Sequence, residues 1–467
     1  SQTCLPDGKG YGDCVGEVTP VAEDCETPVD EDCDGVSPFC PADWATRHGS
    51  AAAQFAWDLA VDATGGVVIT GDVESSIDFG GGDLVSAGAS DVFVAKLDAS
   101  GAHVWSQRFG NASAQSGQSV GIDSVGNVII AGYFQGSVNF GGTTLTSSGG
   151  ADIYVAKLTA MGAHLWSKKF GSSTDDQLAL SVAIDPDDNV LLTGALTGTV
   201  GFGGSNLTSA GGSDVFVVKL SSGGNHVWSK RFGDAGIAQV GRAIAADAAG
   251  NVIVAGDFTG TIDFGGGALT SAGGGDAFVA KLDSAGNHVW SKALGDAAFQ
   301  IARGVATDAS GRVVVVGDFA GSIDFGSGAI VSKGATDGFV ALFDASGTHV
   351  ASTSFGGTEY DSATSVSAAA GAVAVSGYVS GNATFGGTSV ASAGGRDAFV
   401  AKLAGTTLVP VWARRFGDDS AYQSAQSVAL DGQGNALFTG YLFGSIDFGS
   451  GPLTSAGGAD VFVAKVH

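Results

Sequence analysis

Two groups of residues have types and spacings that could do chemistry. Asp30, Asp32 and Asp34, followed by Gly35, reproduce the D-x-D-x-D-G opening of a calcium loop. In such a loop alternate carboxylates turn inward around one ion and glycine permits the sharp bend. The twelfth position is Pro41 where a bidentate Glu would be needed, so Asp43 or Glu31 would have to complete the shell from another direction. The second group is spread along the chain. Trp57, Gln118, Arg242, Arg303 and Gln426 share one aligned position, and Tyr360 and Tyr422 stand among Asp175, Asp176, Asp234, Asp296, Glu359, Asp361, Asp418 and Asp419. Aromatics beside carboxylates and amides suit a sugar or a cation, and a pair of acids is also what glycoside hydrolysis requires. The plainer reading of the same acids is a solvated face.

Each group needs something to position it. Around the first stand all five cysteines, Cys4, Cys14, Cys25, Cys33 and Cys40, and none follows. Residues 1–42 have too few large apolar side chains to fold alone, so disulfides are the expected staples: Cys4 with Cys14, and Cys25 with Cys33 or Cys40. Each loop closure is worth roughly 2–3 kcal/mol in the chain-entropy model. One thiol is left over, which offers a route to self-association through this cap. Cysteines confined to a stapled segment predict export, to the cell surface or beyond.

The second group is positioned by a repeat. The phrase DAFVAKLDSAGNHVWSKALG, from Asp276 to Gly295, recurs with its first residue at Asp91, Asp152, Asp214, Asp276, Asp337, Asp397 and Asp460, seven copies 60 to 63 residues apart. Each unit reads as four short strands, A to D, separated by Gly- and Asn-containing turns such as DSVGN and DAAGN. In blade four, strand A is expected to open at Ala243 and strand B to run from Val252 to Phe264. The last copy stops after strand C, and Ala42 to Gly49, ADWATRHG, aligns with strand D, so residues 43–48 are expected to complete the final blade and remove its open edge. The prediction is an all-β, seven-bladed β-propeller of four-stranded blades over residues 43–467, carrying a disulfide-stapled cap at 1–42. Features that recur in every unit, the Asp91 series, the Phe79 series and the Trp105 series, are assigned to turn capping and packing between blades; the D-to-A loops, which vary, are the expected contact surface.

Other chemistries are disfavoured. A net charge of −26 opposes nucleic-acid binding, and no run reaches the roughly 18 apolar residues of a membrane span. The chain starts at Ser1 without an initiator Met, which reads as a processed or clipped form. His103, His164, His226, His288 and His349 open successive outer strands, too far apart to share an ion, and a triad would need a histidine near the face. His48 and His467 fall in one blade without a clear reason to meet. Glycine runs such as Gly80-Gly81-Gly82 precede no helix, so they lack the helix N-terminus used for phosphate.

The words VAxDxxGNVxVxG and DxFVAKLDxxGxxxW, which recur through the unit, resemble the bacterial seven-bladed propeller repeat, over about 420 residues. That resemblance implies the fold and an exported location, with no single activity. The stretch EDCETPVDEDCDG, Glu23 to Gly35, resembles a cysteine-rich, acidic metal-binding motif of secreted bacterial surface proteins, some described as copper-binding. No Met or His lies in residues 1–42 to act as a soft ligand, so calcium is expected before copper. The function expected is an exported, non-catalytic binding or surface-structural module with a carbohydrate or protein ligand; the alternatives are a carbohydrate-active enzyme or lectin using the D-to-A face, or a subunit of an extracellular assembly.

Overall fold

The computed structural model describes residues 42–467, apart from 173, 174, 237, 370 and 419–421. The five cysteines, Asp30, Asp32, Asp34 and Asp419 therefore lie outside the described residues. Blade two shows the unit: strand A is Gln115–Ile122, B is Val128–Phe134, C is Asp152–Leu158 and D is His164–Phe170. The four pair antiparallel in that order, A innermost, and seven such blades form the ring, the fifth extended to six strands where its outer strand, His349–Gly356, also pairs with Thr384–Phe385. The B and C strands are runs such as VIIAGYF and DIYVAKL, buried on both faces because each sheet is sandwiched between neighbours. The alternation loosens toward strand D, whose second residue, Leu165 in this blade, faces solvent at the rim.

Trp44–His48 is strand D of the seventh blade, paired with Asp460–Val466 from Trp44 opposite Lys465 to His48 opposite Val461. The expected closure is therefore what forms. Five tryptophans in the Trp44 register then tie a blade to the next, as where the indole N–H of Trp44 donates to Ala99 O at 3.0 Å and that of Trp105 to Ala160 O at 2.9 Å; blade five carries Ala351 at this place. The Phe79 series sits between blades as expected. Phe140 lies 4.9 Å from Phe109 of the preceding blade and 4.9 Å from Tyr154 of its own.

Two boundaries differ from the expectation. Strand B of blade four ends at Phe258, because Gly260 (φ +77°) turns the chain; Thr261–Ile262 then pairs with Leu269–Thr270 as a separate small ribbon before strand C. Strand A of that blade begins at Gln239, four residues before Ala243. A β-bulge between Gly241 and Ala243 is the reason: the extra residue breaks the two-residue alternation by which a strand is recognised, leaving only its second half legible.

The D-to-A and B-to-C connections open on one face of the disc, here the upper face, and the A-to-B and C-to-D turns on the other. The Asp91 series caps upper connections: Asp91 Oδ2 accepts from Ala87 N at 2.7 Å and Asp460 Oδ2 from Ala456 N at 2.8 Å. The outer-strand histidines bond locally, His103 Nε2 lying 3.1 Å from Ser106 Oγ. His48 and His467 do not meet: His48 contacts Asp78 O and Thr46 Oγ1, whereas His467 Nδ1 lies 2.5 Å from Asp43 Oδ1.

Candidate functional site at the upper opening of the channel

The innermost strands line an axial channel, and the bulge recurs in all seven of them. One residue is skipped in the A–B register of each blade: Trp57, Gln118, Leu180, Arg242, Arg303, Thr364 and Gln426. A bulge re-aims the side chain it carries, and these seven converge on the upper part of a channel cavity of about 410 Å³. Trp57, Gln118, Arg242, Arg303 and Gln426, expected in the D-to-A loops, thus stand on strand A and face the axis. Leu180 and Thr364 complete the ring; a seven-way alignment at that position would have found them.

The ring is chemically lopsided. In blade one the indole N–H of Trp57 donates to Asp72 Oδ2 at 2.8 Å, and Asp72 also accepts from Ser116 Oγ at 2.8 Å and Gly117 N at 3.0 Å. Burial still pushes the Asp72 carboxyl up to about 6. Phe55 stacks on Trp57 at 5.4 Å, and Tyr441 meets Phe55 edge-on at 5.2 Å. In a ring of seven, blade one faces blades four and five, where the bulge residues are Arg242 and Arg303. Each guanidinium is ion-paired, to Asp257 and Asp318 respectively, from the strand behind. An aromatic wall therefore faces two held arginines across the opening. Further in, Asp58 accepts from Ser119 Oγ and Ser427 Oγ, both at 2.7 Å, and from the amides of Val120 and Leu59. Burial raises its carboxyl as well.

Tyr360 and Tyr422 are not part of this ring. They lie outside it on the upper face, in D-to-A loops, each bridged to the residue that precedes a strand-C Asp: Tyr360 to Thr336 and Tyr422 to Arg396. Phe299, bridged to Gly275, holds the same place one blade earlier and was missed by the sequence reading. The loop acids do not form a free acidic face. Asp234 turns inward to accept from Thr261 N at 2.9 Å and Gly236 N at 2.7 Å, and Asp296 accepts from Ser322 N at 2.7 Å and Ala298 N at 2.8 Å. Those donors hold Asp296 near 2, the Ala298 amide first among them. Asp418 accepts from Ser445 N at 2.7 Å and Asp176 from Ala151 N at 2.7 Å, so these carboxylates clamp the loop to its surroundings. Asp361 is fully buried at the junction of blades five and six. Among the described residues, no group of three His, Cys, Asp or Glu side chains is placed to hold a metal ion.

No protein-family model matches the chain. An uncharacterized WD repeat-containing protein of Acanthamoeba polyphaga mimivirus is 26% identical over 340 residues, a match covering 56% of this chain and 24% of that protein. The chain thus spans about a quarter of that relative's length. Among solved structures, the Neurospora crassa Pan2 WD40 domain is 10% identical with a TM-score of 0.43, covering 88% of this chain and 89% of that one. Quinohemoprotein alcohol dehydrogenase from Comamonas testosteroni is 10% identical with a TM-score of 0.44, over 91% and 76% of the two chains. Sqt1 from Chaetomium thermophilum is 11% identical with a TM-score of 0.42, over 90% and 98%.

Proposed function

We propose that the chain is a non-catalytic binding module whose ligand docks on the upper face, over the channel opening. One observation carries this reading: the seven bulge residues share a backbone position and differ in chemistry, while the packing around them repeats from blade to blade. A purely structural ring would have little reason to place Trp, Gln, Leu, Arg and Thr at symmetric positions. Hydrolysis is the weaker reading, because Asp58 and Asp72, the carboxylates nearest the channel in blade one, are both engaged by protein donors. Export to the cell surface rests on the clustered cysteines, and calcium binding by Asp30, Asp32 and Asp34 on their spacing alone.

The test is a thermal-shift screen of the purified chain against a panel of defined mono- and oligosaccharides and short peptides. Trp57→Ala and Arg303→Ala are screened in parallel. A ligand that raises the wild-type midpoint, and fails to raise both variants, supports the opening as the site. A panel that shifts nothing, or shifts all three proteins alike, overturns it.

A further inference from the structure

Outside the ring the upper face carries a second blade-specific feature. The residue immediately before the first residue of the strand-A motif is Ala53, Ala114, Asp176 and Ala238 at four junctions, and Phe299, Tyr360 and Tyr422 at the remaining three, which are consecutive. All three rings are exposed, by 41%, 58% and 60%. Each is fixed through its backbone bridge, so they are platforms one blade apart on a rigid disc. The residue each is bridged to belongs to a second series: Ser90, Ala151, Ser213, Gly275, Thr336 and Ala459 are small, and the seventh is Arg396. Its guanidinium lies 3.8 Å from the centre of the Tyr378 ring and 5.9 Å from that of Tyr422. Among the described residues, the Nε of Arg396 is buried with no hydrogen-bond partner and no carboxylate pairs with this side chain. Arg242 and Arg303, by contrast, are both neutralised by an Asp.

We propose that Phe299, Tyr360, Tyr422 and Arg396 form a track for a linear acidic polysaccharide, its sugar rings lying on the aromatics and a carboxylate reaching the Arg396 guanidinium. The inference rests on the binding-module reading and names its ligand class. Separate platforms at a regular interval suit a polymer of rings, whereas a protein partner needs a contiguous apolar centre. The cation suits an acid, because guanidinium matches a carboxylate in two parallel hydrogen bonds. Stacking on Tyr378 and Tyr422 holds the guanidinium in place through its faces and leaves its charge for a carboxylate. Glu359, exposed beside Tyr360, confines the acidic contact to the Arg396 end of the track.

The experiment is calorimetric titration of the full chain with de-esterified oligogalacturonate and with its methyl ester. The expected result is binding of the acid form, and binding of the ester weaker by about ten-fold, the worth of one charged hydrogen-bonded contact. Arg396→Ala is expected to lose a similar factor for the acid form and little for the ester, with Arg396→Lys recovering part. Tyr360→Ala and Tyr422→Ala, at exposed positions that leave the thermal midpoint unchanged, are expected to weaken both forms. Glu359→Gln is expected to tighten the acid form. Equal affinity for acid and ester, indifference to Arg396→Ala, or indifference to the tyrosine variants overturns the proposal. Loss of binding only in Trp57→Ala overturns the track while leaving the channel opening as the site; no binding of either polymer overturns the track without bearing on other ligands at the opening.

Discussion

On the lower face, the A-to-B turns of five blades are near copies of one another. Asp123 accepts from the Asn127 amide at 2.7 Å, Gly126 takes a positive φ of +85°, and Lys157 from strand C reaches Asp123 at 2.8 Å. Lys96 with Asp62, Lys219 with Asp185, Lys281 with Asp247 and Lys465 with Asp431 repeat that pair. On the upper face, a few residues away on the same strands, the bulge positions share only their backbone. Polar residues on the lower face are spent on holding strands A, B and C together, and those on the upper opening are held by others and presented to the channel. The contrast teaches where a symmetric scaffold keeps its freedom: at positions that share a backbone place while each blade supplies its own partner, Asp72 for Trp57, Ser116 for Gln118 and Asp318 for Arg303.

The sharpest break affects both faces at once. Removing residues 1–48 strips strand D from blade seven, together with the bonds from Trp44 to Ala99 O and from Asp43 N to Lys465 O. The edge of Asp460–Val466 is then bare, and exposed edges recruit other chains. The expected outcome is loss of the cooperative thermal transition and growth of large species, read by circular dichroism and size-exclusion chromatography. A monomer melting like the intact chain would refute the closure.

Next in size is a direct contrast between the faces. Lys157→Ala leaves Asp123 buried without its cation and is expected to cost about 3 kcal/mol, while Gln118→Ala, whose amide donates to Ser116 Oγ, is expected to stay within about 0.5 kcal/mol. Urea unfolding of the two variants decides it. Asp123 is held below the ordinary carboxylate range, with the Lys157 and Asn127 bonds outweighing the opposing effect of burial. A depressed folded-state value adds stability above the unfolded value that is lost as pH falls through the folded one. The cost of Lys157→Ala should therefore shrink in acid.

The architecture was largely legible because the chain states it seven times: the repeat, the missing last strand and its replacement at Trp44–His48 are all visible in the order of residues. The opening was legible as a set of positions but not as a place. Trp57, Gln118, Arg242, Arg303 and Gln426 align, yet the bulge that aims them inward erases the alternation that would have marked them as strand. Phe299 was overlooked because a single phenylalanine in a chain with 27 looks like core until its neighbours along the ring are known to be Tyr360 and Tyr422. The loop acids misled because composition counts a carboxylate without counting the amides that face it, as Ala298 and Ser322 face Asp296.

Asp361 stands where the other six blades carry Gln54, Gln115, Gln177, Gln239, Gln300 and Gln423. Its carboxyl is pushed up to about 6 by burial, with Asp337 and Glu359 nearby adding to the rise. Asp337, fully buried, is itself raised by burial, and among the described residues no Arg or Lys forms an ion pair with it, unlike Asp91 with Arg108. A folded-state value above the unfolded one contributes stability that is complete below the unfolded value, near 3.8, and is lost as pH rises through about 6. Replacing the odd acid with the residue its six counterparts use, Asp361→Gln, is expected to stabilise the chain by about 3 kcal/mol at pH 7 to 8 and to bring no gain near pH 4. The difference between the two unfolding free energies should open between those limits and then stay flat.

One smaller effect separates the faces again. Asp72, also near 6, is the carboxylate that orients Trp57, so protonating it weakens the hold on that indole without unfolding anything. Intrinsic fluorescence of the wild type is expected to shift by a few nanometres, on the order of what an altered indole environment gives, through a transition near pH 6. Asp72→Asn and Trp57→Phe are each expected to abolish that transition. If it survives in both variants, it arises elsewhere among the seven tryptophans, and the opening is held by packing against Phe55 and Tyr441 rather than by its carboxylate. The aromatic half would then be the rigid half, and the arginine half, where Asp257 and Asp318 face full charges, the one that depends on ionisation.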